Sequence, residues 1–214
     1  MPSSSESMNG AGQTLRIGVL VSGNGSNLQA LMDRCADGTI PGRIACVISN
    51  VATAFGLERA RRQGIPALHL DHRLFASREA YDEALVNALS EYEVELVCLA
   101  GFMRIITPAL IDSFHNAIMN IHPALLPSFP GLHAQRQAVE HGVKVSGCTV
   151  HFVDKGTDTG PIICQAAVPV EEGDTEDTLA ARILVQEHRM YPLAVKLFAE
   201  GRLTIEGRRV VITP

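Results

Sequence analysis

A chain of 214 residues, 46% of them hydrophobic, can bury one full core and fits a single domain. Its net charge of -5 and pI near 5.9 argue against nucleic acid as the main partner, which calls for a basic face. No run approaches the roughly 18 consecutive apolar residues of a membrane span. Residues 1–14 are rich in Ser and Gly, lack a secretion-signal pattern, and read as a disordered extension with Met8 as a candidate start. The domain is expected over 15–214. Cys35, Cys46, Cys98, Cys148 and Cys164 are scattered and odd in number, without a CxxC pair. They read as reduced thiols of a cytoplasmic protein, forming neither a disulfide framework nor a zinc site.

The elements alternate in chain order. Residues 15–21 form an apolar β-type run that ends in Ser22-Gly23-Asn24-Gly25-Ser26-Asn27. A helix follows, with Leu28, Leu31, Met32 and Cys35 on one face and a stop at Gly38. A second strand is expected over 44–49, a helix over 53–63 that ends at Gly64, and a short third strand over 66–70. Ser77 caps a helix to about Glu91, with Tyr81, Leu85 and Ala88 inward. Residues 96–100 are wholly apolar, as a central parallel strand should be. Thr107-Pro108 opens another helix in the Ncap–N1 manner. After it comes an apolar run over 117–121, interrupted only by Asn120 and ending in His122, where Pro123 and Pro127 forbid a helix. Residues 133–140 read as helix, and 145–153 and 161–170 as an antiparallel strand pair. A long helical stretch opens at Thr175 and is expected to break or kink near Pro192; a terminal hairpin turns around Gly207. This βα alternation predicts one doubly wound, Rossmann-like α/β domain, its sheet mostly parallel with antiparallel strands added near the C-terminus.

Several stretches offer chemistry. Asn120 and His122, two apart on a strand, share a face at its carboxyl end, where open α/β sheets bind ligands. An amide donor beside a titratable ring suits a developing oxyanion; the same pair could equally satisfy backbone groups of the prolyl turn. The glycine turn 22–27 presents backbone N–H groups at a helix N-terminus and favours a phosphate. It is not a dinucleotide fingerprint, because Leu28 occupies the place of the third glycine and no acidic residue closes the second strand. Asp158, in a Gly- and Thr-rich loop, is either an acidic turn residue or a partner that orients His122. Residues 101–106 follow the most apolar strand and either line a pocket for a flat heterocycle or form a plain βα loop with a solvated Arg104.

Taken in order, SGNGSN (22–27), AGFMRI (100–105), NIHPALLP (120–127), HFVD (151–154) and DTGP (158–161) resemble the folate-dependent phosphoribosylglycinamide formyltransferase family over about 15–198. The resemblance implies transfer of the formyl group of 10-formyltetrahydrofolate, as co-substrate, to the amine of 5-phosphoribosylglycinamide in purine biosynthesis, without a metal. It makes Asn120, His122 and Asp158 the catalytic trio, and gives the ribose phosphate to Gly25, Ser26 and Asn27. Arg78, Met103, Arg104, Ile105, Ile106, Asn120 and Asp154 fall on the folate side, largely through backbone contacts. Glu187 would meet the substrate amine; without the resemblance it reads as a solvated helical glutamate. Thr159 stands where a second glycine is expected. The implied partners are small molecules, neither nucleic acid nor membrane, and the implied assembly is a monomer or homodimer. Rival readings are a formyltetrahydrofolate hydrolase, for whose regulatory domain residues 1–14 are too short, and a methionyl-tRNA formyltransferase, whose RNA-binding domain is expected after the point where this chain ends and whose charge differs. A non-catalytic phosphate- or nucleotide-binding module explains the glycine turn but not the trio.

Overall fold

A computed structural model describes residues 14–214, so the expected extension lies outside the described residues except for Thr14. The strands are β1 (Leu15–Val21), β2 (Gly42–Ser49), β3 (Ala67–His69), β4 (Leu96–Leu99), β5 (Ile118–His122), β6 (Val145–Phe152), β7 (Ile162–Pro169), β8 (Leu203–Glu206) and β9 (Arg209–Ile212). They form one nine-stranded sheet in the order β3-β2-β1-β4-β5-β6-β7-β9-β8. Pairing is parallel from β3 through β5 and turns antiparallel at β6 and β7, as the sequence predicts. The terminal hairpin also joins the sheet, through one parallel pair between Ile162 and Arg209.

Helices α1 (Ser26–Ala36), α2 (Phe55–Arg62), α3 (Arg78–Glu91), α4 (Pro108–Ser113), α5 (Ala134–Glu140) and α6 (Glu176–Ala199) cover both faces. Alternation along the strands sorts the apolar residues into two cores. Ile17, Val19, Cys98, Met119 and Val150 pack with α1, α2, α5 and α6, while Leu20, Val97, Leu99 and Ile118 pack with α3 and α4. The expected caps are present: the Ser77 hydroxyl accepts from Ala80 N, and Pro108 stands at the start of α4. A 3-10 turn at His72–Leu74, capped by the Asp71 carboxylate, was not foreseen.

The break expected near Pro192 does not occur, because α6 runs through it. Proline removes one N–H, which costs the bond to the carbonyl four residues earlier. The buried row Leu179, Ile183, Glu187, Tyr191 and Val195, at four-residue spacing, carries the packing across that gap. The Tyr191 hydroxyl lies 3.0 Å from the carbonyl oxygens of both Leu99 and Met119, pinning α6 to the end of β4 and to the adjacent β5.

Candidate active site

Strands β1 and β4 are neighbours, yet the chain leaves β1 toward α1 on one face and leaves β4 toward α4 on the other. Such a switch point opens a crevice at the carboxyl edge of a doubly wound sheet. A cleft of about 260 Å³ lies there, lined by residues 22–27 from the first loop, Ala100, Gly101 and Met103 from the second, and Leu184 and Glu187 from α6. Ser22 joins the two loops: its N–H donates to Gly101 O (3.0 Å), and its hydroxyl accepts from Met103 N (2.8 Å) and donates to Asn50 Oδ1 (2.6 Å).

The glycine turn ends in Gly25, the N-cap of α1, in the left-handed region at φ 73°. A Cβ there would sit 2.7 Å from Gly56 Cα, so the position requires glycine on both counts. The first bond of the helix is Gln29 N to Gly25 O, which leaves the amides of Ser26, Asn27 and Leu28 ahead of the ladder. No side chain caps this terminus and no acidic residue stands in its first turn, whereas α3 and α6 have both a cap and an acid and α2 has an acid. The positive end of the helix dipole is thus uncompensated by the protein.

Glu187 is not the solvated residue of the plain sequence reading. It lies mid-helix, 7% exposed, and accepts a 2.7 Å bond from Asn27 Nδ2. Burial pushes its carboxyl above the usual range, against the opposing Asn27 bond. Asn27 Oδ1 is itself buried without a partner.

Asn120 and His122 lie on the α3/α4 side of β5, with Asn120 level with Leu99 of β4. Antiparallel pairing sets His151 directly opposite Asn120 and Thr149 opposite His122. The His151 Nδ1 is 2.8 Å from the carbonyl of Phe152 and therefore carries the proton. Its Nε2, 3.2 Å from Asn120 Nδ2, is then the acceptor. Burial holds His151 below the ordinary imidazole range, against the pull of the Phe152 carbonyl and Asp158, which agrees with this neutral form. The Asn120 amide is thereby fixed through one N–H, and its second N–H and its oxygen remain for a ligand.

His122 Nε2 donates to the carbonyl of Phe129 at 2.8 Å. Its Nδ1 lies 3.5 Å from Asp158 Oδ2, longer than the about 2.7–2.9 Å of a charge-assisted bond. The contact is an ion-pair approach that leaves the Nδ1 position available to a third group. Asp158, at φ 55°, accepts from Gly131 N at 2.7 Å, and its Oδ1 stands 3.7 Å from His151 Nε2. One loop, carrying Phe129 and Gly131, thus holds both His122 and Asp158. Thr149 steadies the prolyl turn after His122 by accepting from Leu126 N and donating to Ala124 O.

On the other expected subsite, Met103 and Ile105 are 66% and 65% exposed and present an apolar wall. Arg104 is half-buried, its guanidinium 5.7 Å from the centre of the Tyr81 ring, while Ile106 packs into the core. The Asp154 carboxylate closes its own loop by accepting from Gly156 N and Thr159 Oγ1. Arg78 stands exposed at the first position of α3. The structure therefore brings Asn120, His122 and Asp158 together, and Gly25, Ser26, Asn27 and Glu187 together. The sequence reading gave no role to His151, although odd positions of β6 alternate with the apolar Cys148, Val150 and Phe152 and so face the Asn120 side. Among the described residues no helix is long and apolar enough to cross a membrane.

Residues 15–195 match the formyl transferase family. The chain is 51% identical over 189 residues to phosphoribosylglycinamide formyltransferase of Escherichia coli (strain K12), covering 88% of this chain and 89% of that one. It is 52% identical over 190 residues to the trifunctional purine biosynthetic protein adenosine-3 of Drosophila pseudoobscura pseudoobscura, covering 88% of this chain but only 14% of that protein. The crystal structure of glycinamide ribonucleotide transformylase 1 from Symbiobacterium toebii superposes with a TM-score of 0.94 at 61% identity, over 99% of this chain and all of that one. The sheet with its crevice at the β1/β4 switch, and these likenesses over nearly its whole length, agree: the chain belongs to the formyl transferase family, in the group of the phosphoribosylglycinamide formyltransferases.

Proposed function

We propose that the protein transfers the formyl group of 10-formyltetrahydrofolate to the amine of 5-phosphoribosylglycinamide, a step of purine biosynthesis. The observation that carries this reading is a cleft with an open helix N-terminus and a buried carboxylate, beside a strand, β5, that carries an amide–imidazole–carboxylate group in register with the end of β4. The ribose phosphate sits on the amides of Gly25, Ser26 and Asn27, and Glu187 holds the glycinamide amine. The apolar wall of Met103 and Ile105 suits the flat ring system of the folate, and the backbone of 103–106 and 154–158, Arg78 and the Asn120 amide complete that side.

When bound, the folate supplies the formyl carbon. The amine nitrogen attacks it, a C–N bond forms, and negative charge builds on the formyl oxygen. The free N–H of Asn120 and the Nδ1–H of protonated His122 donate to that oxygen, and the Asp158 carboxylate stabilises the imidazolium. A water relays the proton lost by the amine to the departing folate nitrogen, and the original C–N bond breaks. Holding two substrates in one crevice supplies much of the rate. The free cysteines fit a reducing compartment such as the cytoplasm.

The test is the consumption of formylfolate, followed spectrophotometrically with and without the ribonucleotide. Consumption is expected only in its presence, and charged initiator tRNA should not replace it. Equal rates without any acceptor would establish a hydrolase instead.

A further inference from the structure

Arg59, in the last turn of α2, is outside every motif of the sequence reading, yet it makes three side-chain hydrogen bonds across the glycine turn. Its Nε donates to Asn24 O at 2.9 Å, its Nη2 to Asn24 Oδ1 at 2.9 Å, and its Nη1 to Gln29 Oε1 at 3.2 Å. Asn24 lies ahead of Gly25, and Gln29 is the residue whose N–H makes the first bond of α1, so the guanidinium spans both sides of the N-cap. The guanidinium is held in turn, 4.8 Å from the centre of the Phe55 ring. Packing below it is equally tight: Gly56 N donates to Gly23 O, and Gly56 is the residue that excludes a Cβ at Gly25.

The geometry points to Arg59 as a positioning residue for the substrate phosphate. The carbonyl of Asn24 and the N–H of Gly25 belong to one planar trans peptide and point in opposite directions. By fixing that carbonyl, Arg59 fixes the direction of the Gly25 N–H, away from itself. Arg59 lines a second cavity, of about 520 Å³, with Ser26, Gln29, Asp33, Arg34 and His188; Ser26 is shared with the first cleft, which Gly25 lines and Arg59 does not. Its positive charge also stands one peptide unit behind the anion site, without blocking it. A glycine-rich turn has many accessible conformations, and this cross-brace selects one before the phosphate arrives, lowering the ordering cost of binding.

The inference rests on the phosphate reading of the turn, and the experiment separates the two. Michaelis constants are measured for the ribonucleotide and for its dephosphorylated nucleoside with wild type, Arg59→Ala and Arg59→Lys, alongside thermal unfolding of each. Wild type should prefer the phosphorylated acceptor; if it does not, the phosphate reading itself fails, whatever Arg59 does. Given that preference, Arg59→Ala should raise the constant for the ribonucleotide about tenfold, as loss of charge-assisted bonds implies. The nucleoside constant and turnover at saturation should stay near wild type. Arg59→Lys keeps the charge but not the fork, so it should fall between the two. Equal weakening of both acceptors, or of neither, overturns the assignment. Should Arg59→Ala not fold, the same contrast between acceptors in Arg59→Lys decides it.

Discussion

Asp158→Asn separates charge from scaffold in the proposed catalytic group. The carboxylate makes one hydrogen bond, from Gly131 N at 2.7 Å, which an asparagine oxygen can still accept. It also stands at φ 55°, a left-handed conformation that asparagine tolerates far better than alanine. What the substitution removes is the negative charge 3.5 Å from His122 Nδ1, where both side chains are almost fully shielded. Coulomb's law gives such a pair about 4–5 kcal/mol at an effective dielectric of about 20, and the amide dipole restores part of it. The expected loss is therefore about 100- to 1000-fold in kcat, comparable to removing one oxyanion donor, with little change in either Michaelis constant. Initial rates with both substrates varied measure this, and urea unfolding should show near-native stability. Asp158→Ala should be at least as slow and also less stable, by about 1–3 kcal/mol, because it strands the Gly131 amide and forces alanine into the left-handed region. An Asp158→Asn enzyme within tenfold of wild-type turnover would refute the role given to the ion pair.

Other perturbations address the remaining parts of the site. His151→Phe keeps a ring but removes the acceptor 3.2 Å from Asn120 Nδ2, so kcat should fall about 10- to 100-fold while folate binding measured by calorimetry persists; unchanged turnover would remove His151 from the mechanism. Gly25→Ala, with φ 73° and a Cβ 2.7 Å from Gly56 Cα, should cost about 2–4 kcal/mol in urea unfolding. It should also weaken the ribonucleotide far more than the folate, and equal loss of both would make the turn purely structural. For Glu187, burial raises the folded-state carboxyl above its unfolded value of 4.5, so its favourable contribution is complete below that value and is lost as pH rises through the raised folded value. Glu187→Gln should consequently gain stability over wild type at neutral pH but not at pH 4, and should raise the Michaelis constant of the ribonucleotide more than that of the folate; a variant no more stable at neutral pH contradicts the burial argument.

Local signals carried most of the fold. The strand–glycine–helix texture of 15–36, the Ser77 and Thr107-Pro108 helix starts and the apolar runs of β4 and β5 each follow from propensity and periodicity over a few residues. What was not legible depends on distant pairing. His151 acquires its role from the antiparallel register that puts it across from Asn120, and a shift of one residue would turn it to the opposite face. Glu187 reads as solvated without the resemblance because a helical glutamate is usually exposed. Its place in the apolar row Leu179, Ile183, Tyr191 and Val195 was the available signal, a lone acid on a face otherwise destined for the core. The joining of the terminal hairpin to β7 rests on one residue pair, too little to leave a sequence pattern.

Under the proposed function, the two substrates are held from opposite faces of the sheet. The glycine turn and Glu187 belong to α1 and α6, on one face, whereas Asn120, His122 and His151 project from the other. A ligand held from each face can reach the same point only at the strand ends, and the β1/β4 switch is where the covering loops part. Ser22 fixes that point, because its backbone and hydroxyl bonds tie the loop after β1 to the loop after β4 at Gly101 and Met103. Tyr191, one turn beyond Glu187, ties α6 to the end of β4 and to the neighbouring β5 through the Leu99 and Met119 carbonyls. Leu99 is in register with Asn120, so the carboxylate proposed to hold the amine and the amide proposed to receive the charge are referenced to one position of the sheet. Attack geometry tolerates errors of well under an ångström, and short hydrogen-bonded connections to the sheet, those of Tyr191 buried, hold that tolerance better than flexible loops would.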